Sequence, residues 1–147
     1  MKFNTKTRYG LRAMLELALK SEKGEGILQK EIAENQHIPV KYLDHIIADL
    51  KKAGLIANVG GKKSGYRLNR PAEEISIFDI YLAFEDDLTI IDCLNPDGHC
   101  PRKKICVLKD YWYGLNNTIR SSMESQNLKD LVEKTRSAED FIGSESL

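Results

Sequence analysis

Cysteine is scarce in this chain, with three among 147 residues, and so are proline at four and tryptophan at one. Three thiols leave at least one that cannot pair within the chain, which argues against a disulfide framework and for a reducing compartment. Also missing is any run near the roughly 18 consecutive apolar residues of a membrane span. The opening MKFNTKTRYG has no apolar signal core. The expectation is a cytoplasmic protein with no membrane partner. Net charge is absent too, 22 basic residues against 22 acidic. The hydrophobic share of 41% is nevertheless enough to bury a real core.

The zero net charge conceals an asymmetry. Residues 1–70 carry fourteen Lys and Arg against seven Asp and Glu, a balance of +7, and residues 71–147 carry eight against fifteen, a balance of −7. A basic half of this kind points to a polyanion partner, and a local basic face is enough to hold phosphates.

Periodicity organises that basic half. Asn4 or Thr5 can cap a first helix whose apolar stripe is Leu11, Met14, Leu15, Ala18 and Leu19. SEKGEG (21–26) breaks it. A second short helix follows, with Ile27, Leu28, Ile32 and Ala33 inward. The turn at Asn35–Pro39 leads into a third helix, with Val40, Leu43, Ile47 and Leu50 inward and Lys41, Tyr42, Asp44, His45 and Lys52 outward. Gly54 ends it. LIANV (55–59) and GYRL (65–68) then flank GGKKS (60–64) as a hairpin.

Helix, helix, turn, helix and basic hairpin describe a winged helix-turn-helix, so the fold class is mainly α with a small β-wing. The third helix suits the major groove of a double-stranded DNA operator. Lys41, Tyr42, Asp44 and His45 are its groove-facing candidates, with Tyr42 equally able to pack against the wing. Lys62 and Lys63 at the hairpin tip would sit against phosphates or reach toward the adjacent minor groove.

Beyond Pro71, SIFDIYLAFE (76–85) reads as a helix with Ile77, Ile80, Tyr81 and Phe84 on one side. After a loop, Ile105, Leu108, Trp112, Leu115 and Ile119 repeat at spacings of three and four. That seam suits a partner helix, although it could equally bury within its own domain. A palindromic operator favours the two-fold arrangement, hence a homodimer. Asn127 can cap a final short helix holding Leu128, Leu131 and Val132, ahead of a polar, frayed tail SAEDFIGSESL.

All three cysteines, Cys93, Cys100 and Cys106, fall in the run IDCLNPDGHCPRKKIC. Soft thiolates clustered in this way suit an iron–sulfur cluster, and they also suit zinc with a nitrogen or oxygen donor. Metal-free thiol redox chemistry and simple burial are the remaining readings. Neither an enzyme nor an electron carrier is expected. GGKKSG lacks the spacing of a phosphate loop, no nucleophile elbow or dinucleotide fingerprint is present, and a carrier has no use for a basic helix-turn-helix half.

MKFNTKTRYGLRAMLELAL, VKYLDHIIADLKKAGLI, SGYRL and Cys93-x6-Cys100-x5-Cys106, in that order, resemble the Rrf2 family of bacterial transcriptional regulators over about residues 1–135. Its branches include an iron–sulfur assembly regulator, a nitric-oxide-sensing repressor and cluster-free regulators of cysteine metabolism. The resemblance implies a homodimer with a DNA-binding domain at 1–70, a connecting helix and cluster loop at 71–100, and a dimerisation helix and tail at 101–147. It also implies one [2Fe–2S] or [4Fe–4S] cluster per subunit on the three cysteines. Two departures stand out. Gly60 occupies a wing position where the family often has arginine. The family's fourth ligand, a histidine or an acidic residue, is replaced here by Lys109 or Arg8. Asp110 and His99 are the leading substitutes, with Asp92 and Asp97 behind them.

Overall fold

The computed structural model describes residues 2–20, 25–60 and 65–145. Helix α1 spans Thr5–Lys20, α2 Gln29–Gln36 and α3 Val40–Lys52; β1 covers Ile56–Val59 and β2 Gly65–Leu68. A 3-10 turn at Ala72–Glu74 leads into α4 (Ile77–Phe84), a second at Asp92–Leu94 carries the chain toward α5 (Leu108–Ser125), and α6 (Leu128–Glu145) follows. The expected fold, mainly helical with a two-stranded wing, is the observed one.

Local chemistry sets the helix ends. The Asn4 side chain accepts from the Thr7 backbone N–H at 2.7 Å and starts α1. Gly54, at φ 74°, takes the left-handed conformation that closes α3, and the Leu55 N–H reaches back to the Leu50 carbonyl at 3.1 Å. Two reciprocal capping boxes, Ser76 with Asp79 and Asn127 with Asp130, open α4 and α6. The Ile77 N–H donates to the Gln126 carbonyl and the Leu128 N–H to the Ile75 carbonyl, both at 2.9 Å. Those bonds fasten the two helix starts side by side.

β1 and β2 pair antiparallel, with Ile56 opposite Leu68 and Val59 opposite Gly65. Ile27 adds a third edge by exchanging both backbone hydrogen bonds with Tyr66 at 2.9 Å. Ile27 is therefore inward as expected, but as a strand residue ahead of α2.

One core joins α1, α2, α3, α4, the wing and the C-terminal helix. Met14, Leu17, Ile32, Leu43, Ile46, Leu50, Ile80 and Leu128 are fully buried in it. A smaller cluster of Phe78, Tyr81, Leu88 and Met123 joins α4 to α5.

Several expectations shift. The α1 stripe is rotated: Met14 and Ala18 are core residues, but Leu17 lies at its centre, with Leu11, Leu15 and Leu19 on its margin. Leu28 is 45% and Val40 53% exposed, not inward. Each stands at a helix start, where no preceding turn or neighbouring helix covers it, and the buried face of α3 is Leu43, Ile46, Ile47 and Leu50. On α4, Phe78 is buried while Ile77 and Phe84 are half-buried. The long helix begins at Leu108 and not near residue 101, because residues 100–105 form tight turns, Lys103 N–H to Cys100 carbonyl and Ile105 N–H to Arg102 carbonyl. The tail expected to fray is helical to Glu145, its polar residues lying on an exposed helix surface.

Candidate nucleic-acid interface and cysteine loop

The helix-turn-helix is held by a carboxylate that periodicity does not reveal. Glu16, on α1, is 3% exposed; its two oxygens accept from the Asn35 side chain at 2.7 Å and the Gln36 side chain at 2.8 Å. A buried carboxylate is tolerated where it receives such donors. The Arg12 guanidinium donates to the Gln36 carbonyl and lies over the Tyr9 ring at 5.4 Å. α1 thus grips the C-terminus of α2, just ahead of the left-handed turn at His37 (φ 52°) that aims α3.

On α3, Lys41, Asp44 and His45 are exposed, as a groove-reading face requires. Asp44 accepts from the Gln29 side chain, so the start of α2 is tied to the middle of α3. Gln29 was not foreseen, since it lies fifteen residues away. Tyr42 is half-buried and packs edge-on against Tyr9 of α1, ring centroids 5.4 Å apart. Lys51 lies 5.8 Å over the Tyr66 ring and joins α3 to the wing. Lys62 and Lys63 fall outside the described residues.

The cysteine loop leaves the smaller core at Leu88. Asn116, buried on α5, donates from its side-chain nitrogen to the Leu88 carbonyl and accepts from the Ile90 N–H, both at 3.0 Å. Beyond that clamp, Cys93 lies in the 3-10 turn, Cys100 starts the turns before α5, and the Cys106 carbonyl accepts weakly from the Lys109 N–H at 3.4 Å. The hydrogen bonds within 91–105, from Leu94, Asn95, Gly98, Lys103 and Ile105, all span three residues. All three thiols are free and half-buried. Among the described residues no group of three or more His, Cys, Asp and Glu is gathered closely enough to hold a metal. The donor chemistry fits an iron–sulfur cluster, three soft sulfurs within fourteen residues on a backbone whose own hydrogen bonds are local turns. Of the fourth-ligand candidates, Asp110 is exposed in the first turn of α5 and His99 is exposed in the loop.

The face of α5 adjoining Asn116 is apolar and uncovered in the single chain. Ile105, before the helix, is 74% exposed, and Leu108, Tyr111 and Leu115 are also exposed; Trp112 is half-buried beside Tyr111 at 5.1 Å. Ile119, the last residue of the expected seam, turns instead toward the smaller core. Among the described residues no helix is long and apolar enough to cross a membrane.

A family model described as "Rrf2: Iron-dependent Transcriptional regulator" matches residues 3–134. Protein rrf2 of Nitratidesulfovibrio vulgaris is 33% identical over 132 residues, covering 90% of this chain and 87% of that one. In structure, the chain is similar to IscR of T. potens, with a TM-score of 0.76, 30% identity and 94% and 90% of the two chains covered. It is also similar to CymR, the global cysteine regulator of B. subtilis, with a TM-score of 0.74, 27% identity and 91% and 98% covered.

Proposed function

The chain belongs to the Rrf2 family of transcriptional regulators, and we propose that it is a homodimer that reads a palindromic duplex operator under the control of an iron–sulfur cluster carried by Cys93, Cys100 and Cys106. The observation that carries this reading is the loop itself: three free, half-buried thiols on local turns, clamped by α5 at one end and continuous with α5 at the other. A [2Fe–2S] or [4Fe–4S] group bound there supplies a redox-active centre sensitive to oxygen, nitric oxide and iron supply. Asp110, His99 or an acidic residue of the second subunit would supply the fourth donor.

The chain's own residues do the rest. Lys41, Asp44 and His45 meet base edges, Asp44 as an acceptor suited to a cytosine amino group. Glu16 and Arg12 hold α2 in place and so set the pitch of α3. Lys62 and Lys63 meet phosphates, so their loss weakens binding to all sequences and flattens its salt dependence. Leu108, Trp112 and Leu115 form the seam with the second copy. Residues 1–70 form the reading unit, 71–100 the connector and cluster loop, and 101–147 the dimerisation helix and tail. Its place of action is the cytoplasm, and no catalytic role is assigned.

Purification without oxygen, with a visible spectrum and iron and sulfide assays, tests the cluster. A brown protein with matched iron and sulfide that bleaches in air is expected, and Cys100→Ser loses that colour. Equal operator binding by loaded and cluster-free protein would overturn control by the cluster while leaving DNA reading intact. The second reading is a cluster-free regulator of cysteine metabolism. It is favoured by the likeness to CymR and by the absence of a gathered donor group among the described residues. A colourless, metal-free protein is its signature, and colourless protein with bound zinc marks a structural zinc site.

A further inference from the structure

A cavity of about 450 Å³ opens where the foot of the wing meets the C-terminal helix. Its walls come from α1, from β2 and the segment after it, from the 3-10 turn at Ala72–Glu74 and from the start of α6. None of these residues belongs to the groove-facing set, the cysteine loop or the apolar face of α5. Ala18 and Val132, both buried in the main core, and half-buried Leu68 make its lining partly apolar. Arg67, Arg70 and Lys129 stand around it, all exposed, against the single carboxylate of Glu73. Arg70 is steadied from behind by Asp79 of α4 at 3.7 Å, a pairing that leaves much of its five-donor fork available.

We propose that this cavity binds a small organic anion with a short apolar body, an aryl or alkyl carboxylate or phosphate ester. Arg67, Arg70 and Lys129 outnumber Glu73 and the Asp79 carboxylate paired to Arg70, which favours negative charge, and guanidinium forks match carboxylate and phosphate oxygens. The volume lies in the range of small-molecule sites, and the apolar lining rewards a hydrocarbon group that a bare ion lacks. Contacts to a DNA backbone would explain the cations but not the apolar recess behind them. A molecule seated there touches both β2 of the wing and α6, two elements held together otherwise through the core. The inference does not depend on the cluster.

The test is isothermal titration of the full chain with phenyl phosphate, benzoate and inorganic phosphate, in the wild type and in Arg67→Gln and Lys129→Gln. Both side chains are exposed, so the variants should keep the wild-type circular dichroism spectrum. Saturable binding of a phenyl anion at one site per chain is expected, weakened roughly tenfold by each substitution, as loss of a charge-assisted hydrogen bond predicts. A preference for phenyl phosphate identifies a phosphate ester as the ligand class, and a preference for benzoate identifies a carboxylate. No saturable binding of either phenyl anion, equal binding of inorganic phosphate, or binding unchanged in both variants overturns the proposal. Variants that lose only affinity for random duplex DNA would assign these cations to the DNA backbone instead and also overturn it.

Discussion

Asn116 holds Leu88 by a hydrogen bond of 3.0 Å from its side-chain nitrogen to the Leu88 carbonyl, and the same amide accepts from the N–H of Ile90. One side chain of α5 therefore satisfies two backbone groups on the segment that enters the cysteine loop. Position and orientation of that segment are coupled to α5, the helix whose adjoining apolar stripe is left bare.

Asn116→Ala leaves the Leu88 carbonyl and the Ile90 N–H without this partner. The expected cost is about 1–3 kcal/mol of stability, read as a lower urea midpoint. Amide exchange at Ile90 should speed up more than that in α3. Uniform acceleration across the chain would mean that the clamp is not local.

Glu16→Ala removes the acceptors of Asn35 and Gln36 at once. A loss of about 2 kcal/mol is expected from unmade buried hydrogen bonds, together with weaker binding to specific duplex. Glu16→Gln, which keeps one acceptor oxygen, should lie between. Chemical denaturation and fluorescence anisotropy check the pair.

Gly10 faces Phe84 so closely that an added Cβ would enter the space of the ring. Gly10→Ala should therefore cost roughly 1–3 kcal/mol as overpacking of the α1–α4 contact. The double variant Gly10→Ala, Phe84→Leu should recover part of that loss. Thermal melts of the three variants decide it.

Tyr81 is buried beside Glu85, and burial followed by that carboxylate pushes its phenol up to about 12 from the ordinary 10. The neutral phenol is favoured in the fold, so the contribution is fully present below pH 10. It is lost as pH rises from 10 through about 12, at about 1.4 kcal/mol per unit. Tyr81→Phe should be less sensitive to pH across that window, and absorbance titration at alkaline pH should lack its latest-ionising tyrosine.

Leu108→Glu with Leu115→Glu places charge on the exposed apolar face of α5. Light scattering should report a dimer for the wild type and a monomer for this variant, with an unchanged helical spectrum. A wild-type monomer would move the two-fold arrangement to the DNA-bound state alone.

The sequence determined much of this protein because its signals are local. Asn4, Gly54 and Asn127 announce helix ends through bonds that span only a few residues, and Leu43, Ile47 and Leu50 announce a buried face by their spacing. The three cysteines are legible because their rarity makes their proximity informative. Only the tertiary structure decided which residues meet over longer distances. Glu16 reads as an ordinary charged helix residue until α2 brings Asn35 and Gln36 to it, and Asn116 reads as surface until Leu88 arrives. Leu17, not Leu15, became the centre of α1 because helix rotation is settled by what packs against it. The anchoring of α6 in the main core through Leu128 and Val132 has the same origin. Periodicity states that a helix has an inner face, but the partner elements choose its orientation by the apolar area they cover.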